Sequence, residues 1–306
     1  MERGATLARR NAIPLDTSGK VIRAVGYTIT ILFAFACIAP FWVVITGSFS
    51  SEKSVLVEGF SLWPRDATTF AYSLVFRQPD KIVGSYILTI VLTATGTVIG
   101  LFGTSMAAYA LCRPDFKHRN YIALFIYFTT LFSGGLIPWY MLITRYLNLK
   151  NNYLSLLLPA LFSQFNIILM RNFMKGIPHS ITESALIDGG GDFKIFLRII
   201  LPMSGPSLAT VGLFIGLGYW NQWYPGMLFI DDTKLYHPLQ LLLYNIINSA
   251  LFIRNSAAAS NIPPQDIPFE TMKMACAVVA TGPIVAAYPF VQRYFIKGIT
   301  IGAVKG

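Results

Sequence analysis

The sequence predicts an all-α, polytopic membrane protein: six transmembrane helices with a long helical cytoplasmic loop between the fourth and fifth. Three observations predict it. Hydrophobic residues make up 54% of the 306 positions and charged residues only 12%, about half the roughly 25% charge of a soluble domain. Six apolar segments match the ~20 residues that a helix needs to cross the hydrocarbon core, and none contains Asp, Glu, Lys, Arg or His. The basic residues lie between these segments, mostly on one side of them. The same composition excludes other classes. Low charge and 14% aromatics exclude a disordered chain. The net charge of +10 is not gathered on a soluble face, as it would be in a nucleic-acid binder.

Taken in order, residues 1–23 are polar and basic, with Arg3, Arg9, Arg10, Lys20 and Arg23. The apolar run that follows is too long for a signal-peptide core, so this stretch is expected to be a retained cytoplasmic tail. A six-span membrane domain is expected over 24–297, with spans at 24–49, 84–111, 121–144, 153–170, 203–224 and 274–292. Residues 298–306 form a second, Gly-rich basic tail. Loops 50–83 and 225–273 are long and rich in Pro, aromatics and acids, loop 171–202 is long and basic, and the remaining two are short connectors. In span two Gly96 and Gly100, and in span five Gly212 and Gly216, have the small-xxx-small spacing that lets membrane helices approach closely.

With both termini on one side, that side collects fifteen basic and six acidic residues, leaving nine basic and eight acidic residues opposite. The positive-inside rule places the basic side, and both termini, in the cytoplasm. A plasma-membrane location follows.

The spans contain no group to run chemistry. Ion- and proton-coupled carriers place titrating residues in low dielectric; none is present here. No phosphate loop exists, since Gly189-Gly190-Gly191 is followed by Asp192, a poor phosphate neighbour. His118, His179 and His237 stand in three separate loops, and Cys37, Cys112 and Cys276 have neither metal-ligand nor disulfide spacing. No metal site and no catalytic residue is expected, which argues against an enzyme acting on lipid-linked sugars. Energy for active transport must come from a partner.

Loop 171–202 is the informative segment. Ser180 and Glu183 have capping-box spacing and are expected to start a short helix. The three glycines after Asp188 end it, with Gly189 in a left-handed turn. Phe193, Phe196, Leu197 and Ile200 have the spacing of one apolar helix face, and Pro202 is expected to close the segment.

On these residues the chain resembles the permease subunits of ABC importers. Their signature, E-x-A-x-x-x-G, nine residues, then I-x-L-P, is met by Glu183, Ala185, Gly189, Ile199, Leu201 and Pro202. Six such matches arise by chance in about 10⁻⁵–10⁻⁴ of chains this long. The segments 132–149, 219–226, 235–243 and 288–306 resemble the carbohydrate-uptake branch, in particular its polysaccharide and oligosaccharide permeases. The resemblance implies a non-catalytic subunit that pairs with a second permease subunit. It also implies a cytoplasmic ATPase dimer, which binds the ATP and Mg, and an extracytoplasmic solute-binding protein that delivers the oligosaccharide. The chain itself would bind no cofactor. A permease for a non-sugar solute is the alternative, because the cytoplasmic signature is common to importers.

The loop would then be the ATPase-coupling element, with Ser180, Glu183, Ala185, Asp188, Gly189, Ile199, Leu201 and Pro202 as its residues. At the other end of span five, Trp220, Asn221, Gln222, Trp223 and Tyr224 combine aromatic faces with amides. Such a set suits a sugar path and equally an interfacial aromatic belt. His237, Pro238 and Gln240 in the long fifth loop are candidates for docking the binding protein, the same loop serving otherwise as a cap over the pore.

Overall fold

The computed structural model describes residues 17–259 and 268–303, all helix, turn or coil. The expectations for Arg3, Arg9, Arg10 and Pro263-Pro264, and for the last three residues, lie outside them. Among the described residues the chain forms α1 (Thr17–Ser48), α2 (Glu52–Glu58), α3 (Phe70–Val75), α4 (Pro79–Cys112) and α5 (Arg119–Leu131). After these come α6 (Leu136–Tyr146), α7 (Leu154–Leu157), α8 (Gln164–Met174), α9 (His179–Ile187) and α10 (Asp192–Met203). The chain ends in α11 (Gly205–Trp220), α12 (Tyr224–Phe229), α13 (Leu239–Ala259) and α14 (Phe269–Ala303).

Three helices are long and apolar enough to cross a membrane alone: α1, α4 and the Phe269–Ala286 part of α14. Two further candidates are bent pairs, α5 with α6 at 113° and α10 with α11 at 86°. Among the described residues, the third and fourth apolar runs are thus not continuous helices. Ser133-Gly134-Gly135 breaks the third apolar run, with Gly135 at φ 85°. The fourth run is split, because Pro159 lacks an amide and clashes with the preceding turn. Helix α7 ends at Leu157 and α8 does not begin until Gln164. The segment 225–273, expected as a loop, contains α12 and the 21-residue α13.

A break inside a membrane leaves backbone carbonyls that water cannot reach. Here α11 answers them. Tyr219 Oη donates to Leu157 O at 2.7 Å and Gln222 Nε2 to Leu156 O at 2.8 Å. Both donors reach α7 because α11 lies close against α4. A Cβ on Gly96 would stand 2.3 Å from the Tyr219 ring, and one on Gly100 would be 2.8 Å from Leu161 O. From the other helix, Cβ atoms on Gly212 and Gly216 would come within 3.3 Å of Leu101 and Thr97. The two glycine pairs read from the sequence thus share one seam. Around it Ala108, Met170, Ile195, Ile200, Val211 and Ile215 form a core linking α4, α8, α10 and α11.

A second core joins α3, α4, α13 and α14 through Val75, Ile82, Leu243, Met272 and Ala275. Its register is set by Glu52, only 6% exposed. The Glu52 carboxylate accepts from the backbone amides of Glu270 and Thr271 and from Thr271 Oγ1, each at 2.9 Å. It therefore caps the start of α14 from across the chain, where orphan amides and the helix dipole favour an anion. Most of α1, by contrast, is exposed from Ser18 to Trp42.

Removing the Glu52 acceptor should destabilise the α2–α14 junction. Glu52→Ala is expected to cost about 1–3 kcal/mol and Glu52→Gln clearly less, since its amide oxygen still accepts. Thermal unfolding in detergent measures both, and an Ala variant as stable as the wild type would remove the cap from the fold's supports.

Candidate functional site

Two groups of candidate residues lie at opposite ends of α11. At its N-terminal end, α9 starts at His179 and not through a capping box. Pro178 is the cap residue and no side chain caps the helix. The extended backbone of Pro178 (ψ 132°) starts the helix before Ser180, so Ser180 falls in the first turn and its hydroxyl is not called on. Glu183 instead faces one turn back, with Oε1 2.8 Å from His179 Nδ1.

The helix end follows the expectation. Gly189 has φ 77°, its amide donates to Leu186 O at 3.0 Å, and the Gly190 amide donates to Ala185 O at 2.9 Å. These two bonds make a Schellman motif, which satisfies the last carbonyls and turns the chain sharply. A Cβ on Gly190 would fall 2.7 Å from Ala185 O, so the backbone passes too closely for any side chain there. Ala185 packs on the α4–α8–α10–α11 core, which explains a small residue at that place. Asp188 is exposed.

Helix α10 differs from the expected apolar face. Phe196 to Ile200 form a π-helical turn, which rotates the following side chains relative to a 3.6-residue period. The buried residues are Ile195, Phe196 and Ile200, with Ile199 partly buried, while Phe193 and Leu197 are exposed. Leu201 and Pro202 lie in the last turn, and the bend comes at Ser204, whose hydroxyl donates to Ile200 O at 2.8 Å. The outer face of this α9–α10 loop is apolar. Leu186, Ile187 and Phe193 all face outward, and Ile187 is 86% exposed.

At the other end of α11 the candidates separate. Trp220 is 7% exposed and donates Nε1–H to Ala280 O of α14 at 3.0 Å. It packs between α11 and α14, and the ring partners of Trp223 are Tyr224 and Tyr244. The hydrogen bond to a helix carbonyl required the tertiary fold and left no trace in sequence spacing. Gln222 is buried against α7, as described above.

Trp223 is 39% exposed. Its ring lies 5.0 Å from that of Tyr244 and 5.6 Å from that of Tyr224. Together with Gln240, Lys273 and Ala277 it lines an open cavity of about 240 Å³. Asn221 Oδ1 accepts from Gln240 Nε2 at 3.4 Å. Gln240 therefore sits with the path candidates and apart from its two loop neighbours. Tyr244 of α13 and Lys273 of α14 complete the group; neither was legible, because the segment 225–273 was read as a loop. His237 lies in a different cavity with Lys81, Lys234 and Tyr236. Burial, and then the charge of Lys81, hold the imidazole below its ordinary pKa. Pro238 is buried, packed on Gly226.

The contrast between the two tryptophans gives a measurable split. Trp220→Phe loses a buried hydrogen bond and should lower stability by about 1–3 kcal/mol. Trp223→Phe should stay within about 0.5 kcal/mol. Denaturation of each purified variant in detergent tests this, and equal losses would contradict the separation.

No protein-family model matches the chain. Relatives and a solved structure do. The chain is 39% identical over 282 residues to the polygalacturonan/rhamnogalacturonan transport system permease protein YtcP of Bacillus subtilis (strain 168), spanning 92% of this chain and 96% of that one. It is 27% identical to the trehalose/maltose transport system permease protein MalG of Thermococcus litoralis, over 90% of this chain and 94% of that one. A chain from the crystal structure of a bacterial ABC transporter involved in the import of the acidic polysaccharide alginate superposes with a TM-score of 0.74 at 30% identity. That match covers 93% of this chain and all of the other. The near end-to-end likeness joins the α9–α10 signature and the helical fold, and the chain belongs to the family of permease subunits of sugar-importing ABC transporters.

Proposed function

We propose that this chain forms half of the translocation path of an ATP-driven oligosaccharide importer and receives the ATPase motion through α9. The observation that carries this reading is the α9–α10 loop. It is a short helix locked at its end by a Schellman turn, fixed to the core through Ala185, Ile195 and Ile200, and bearing an exposed apolar face of Leu186, Ile187 and Phe193. A rigid lever with an uncovered apolar tip suits docking into a cleft of a soluble partner. Glu183 and Ser180, exposed on the same helix, would border that contact. The sequence supplies no nucleotide-binding loop of its own, so ATP and Mg belong to the partner.

The charge bias between the ends supports a cytoplasmic α9–α10 and cytoplasmic termini. The Trp223 cavity then opens toward the outside. Aromatic faces of Trp223, Tyr224 and Tyr244, with the amides of Asn221 and Gln240, offer stacking and hydrogen bonds of the kind sugars use. His237 and Pro238 lie near this outer surface, where a solute-binding protein would dock. The exposed apolar length of α1 suits lipid or the second permease subunit. Sugar oligomers are the substrate class in keeping with the relatives' names.

Reconstitution with a second permease subunit, ATPase and binding protein tests the reading. Labelled oligogalacturonide, alginate oligomers and maltotriose would be offered in turn, and import is expected for at least one of them only when ATP and the loaded binding protein are present. Glu183→Lys should express normally, since an exposed pair contributes little to stability, yet lose ATP-coupled import. Gly189→Val should impair import more than Gly189→Ala, because β-branching is disfavoured at positive φ. Wild-type import in the Glu183→Lys variant, or equal import in both Gly189 variants, would contradict the coupling role.

A further inference from the structure

The end of α4 nearest the α9–α10 loop carries a charge cluster that the helix-packing description does not use. Arg113 caps α4 and its side chain is only 11% exposed. Its guanidinium meets three partners at once. Nε donates to Asp115 Oδ1 at 2.7 Å, and Nη2 to Asp115 Oδ2 at 2.5 Å. Nη1 lies 3.0 Å from Tyr109 Oη and 2.7 Å from Asp192 Oδ1. Asp192 is the first residue of α10, so a single side chain spans from α4 to the loop. Beneath the cluster Phe196 of α10 packs on Tyr109 and Phe102 of α4 at ring distances of 5.5 and 6.0 Å. A cavity of about 420 Å³, lined by Met106, Tyr109, Arg113, Phe116, Asp192 and Phe193, separates the rest of the two elements.

The same turn of α4 is tied to its other neighbours. Arg171 at the end of α8 donates to Leu111 O at 3.3 Å, and Cys112 Sγ–H faces Arg171 O at 3.3 Å. Arg119 of α5 donates to Arg113 O at 3.0 Å. The charged contact of the loop thus falls on the turn of α4 that α5 and α8 hold in place.

We propose that Arg113 is a positioning residue that latches α10 to α4, so that displacement of the α9–α10 loop moves α4 and the glycine seam behind it. Two charges held by one planar guanidinium give a directional link, whereas the aromatic contact alone can slide. The partner carboxylates are well solvated, at 62% and 66% exposure, so the pair contributes mainly alignment and little stability. The hydrogen bonds from Arg113 hold the Asp115 carboxyl below its ordinary pKa. This proposal rests on the reading of the loop as the coupling element.

The test is a charge exchange in the reconstituted full complex, with whichever labelled oligomer of the panel above is imported. Asp192→Arg alone should place two cations together and lower import per ATP hydrolysed about threefold to tenfold. Thermal stability and co-purification with the ATPase should be unchanged. Arg113→Glu combined with Asp192→Arg, and with Asp115→Asn to remove the carboxylate that would otherwise repel the new acid, should restore the ratio to within about twofold of wild type, a recovery that a purely structural role would not show. The latch is overturned if Asp192→Arg keeps the wild-type ratio, or if the combined variant is no better than the single one, while Glu183→Lys still uncouples. If Glu183→Lys also leaves coupling intact, the reading of the loop itself fails and the latch falls with it.

Discussion

In a bilayer every backbone polar group needs a partner from the protein, because no water stands ready to supply one. That constraint explains why α4 and α11 meet as closely as they do. The fourth apolar run is broken by Pro159, and the freed carbonyls of Leu156 and Leu157 are met by Gln222 and Tyr219. Those side chains extend from α11 only because Gly96 and Gly100 leave room on α4 for the Tyr219 ring and the α7–α8 connection. The seam, the broken span and the buried residues after α11 are therefore one structure. A larger residue in the seam would separate the helices and strand two carbonyls together.

The two ends of α11 inherit this rigidity differently. Toward the α9–α10 loop, the core around Ile195, Ile200 and Val211 joins α10 to the seam directly, and the Schellman turn fixes α9 on top. Toward the aromatic cavity, Trp220 anchors α11 to α14 through Ala280 O, and Trp223 emerges beyond the last helical turn beside Tyr244. Motion received at one end can reach the other along a single packed helix. Glu52, holding the start of α14 at the cavity end, keeps that side registered against α2.

Much of this was legible in the residues and some was not. The helical class, the glycine spacing, the positive φ at Gly189 and the loop signature are local or periodic features, and the fold keeps them all. The capping role of Ser180 was not kept, because the backbone set by Pro178 starts α9 earlier than the side-chain pattern suggests. The apolar face of α10 was misread because a π-turn changes the period. Trp220 and Trp223 look alike three positions apart, and only the placement of α14 decides which one is buried. Tyr244 escaped notice because α13, with its mixed polar and apolar residues, does not announce itself as a helix, and Lys273 because the first turn of α14 was counted with the loop before it. Glu52 and Arg113 act through partners 218 and 79 positions away, distances over which spacing carries no information.

The central claim, that the exposed tip of α9 meets the ATP-hydrolysing partner, is open to a direct measurement. A photo-cross-linker at Ile187 in the assembled complex, with one at the exposed Trp63 beyond α1 as control, reports which partner each end touches. The expected result is an adduct between Ile187 and the ATPase subunit and none from Trp63. An Ile187 probe that captures only lipid or the extracytoplasmic binding protein, with the ATPase captured at Trp63 or nowhere, would contradict the claim.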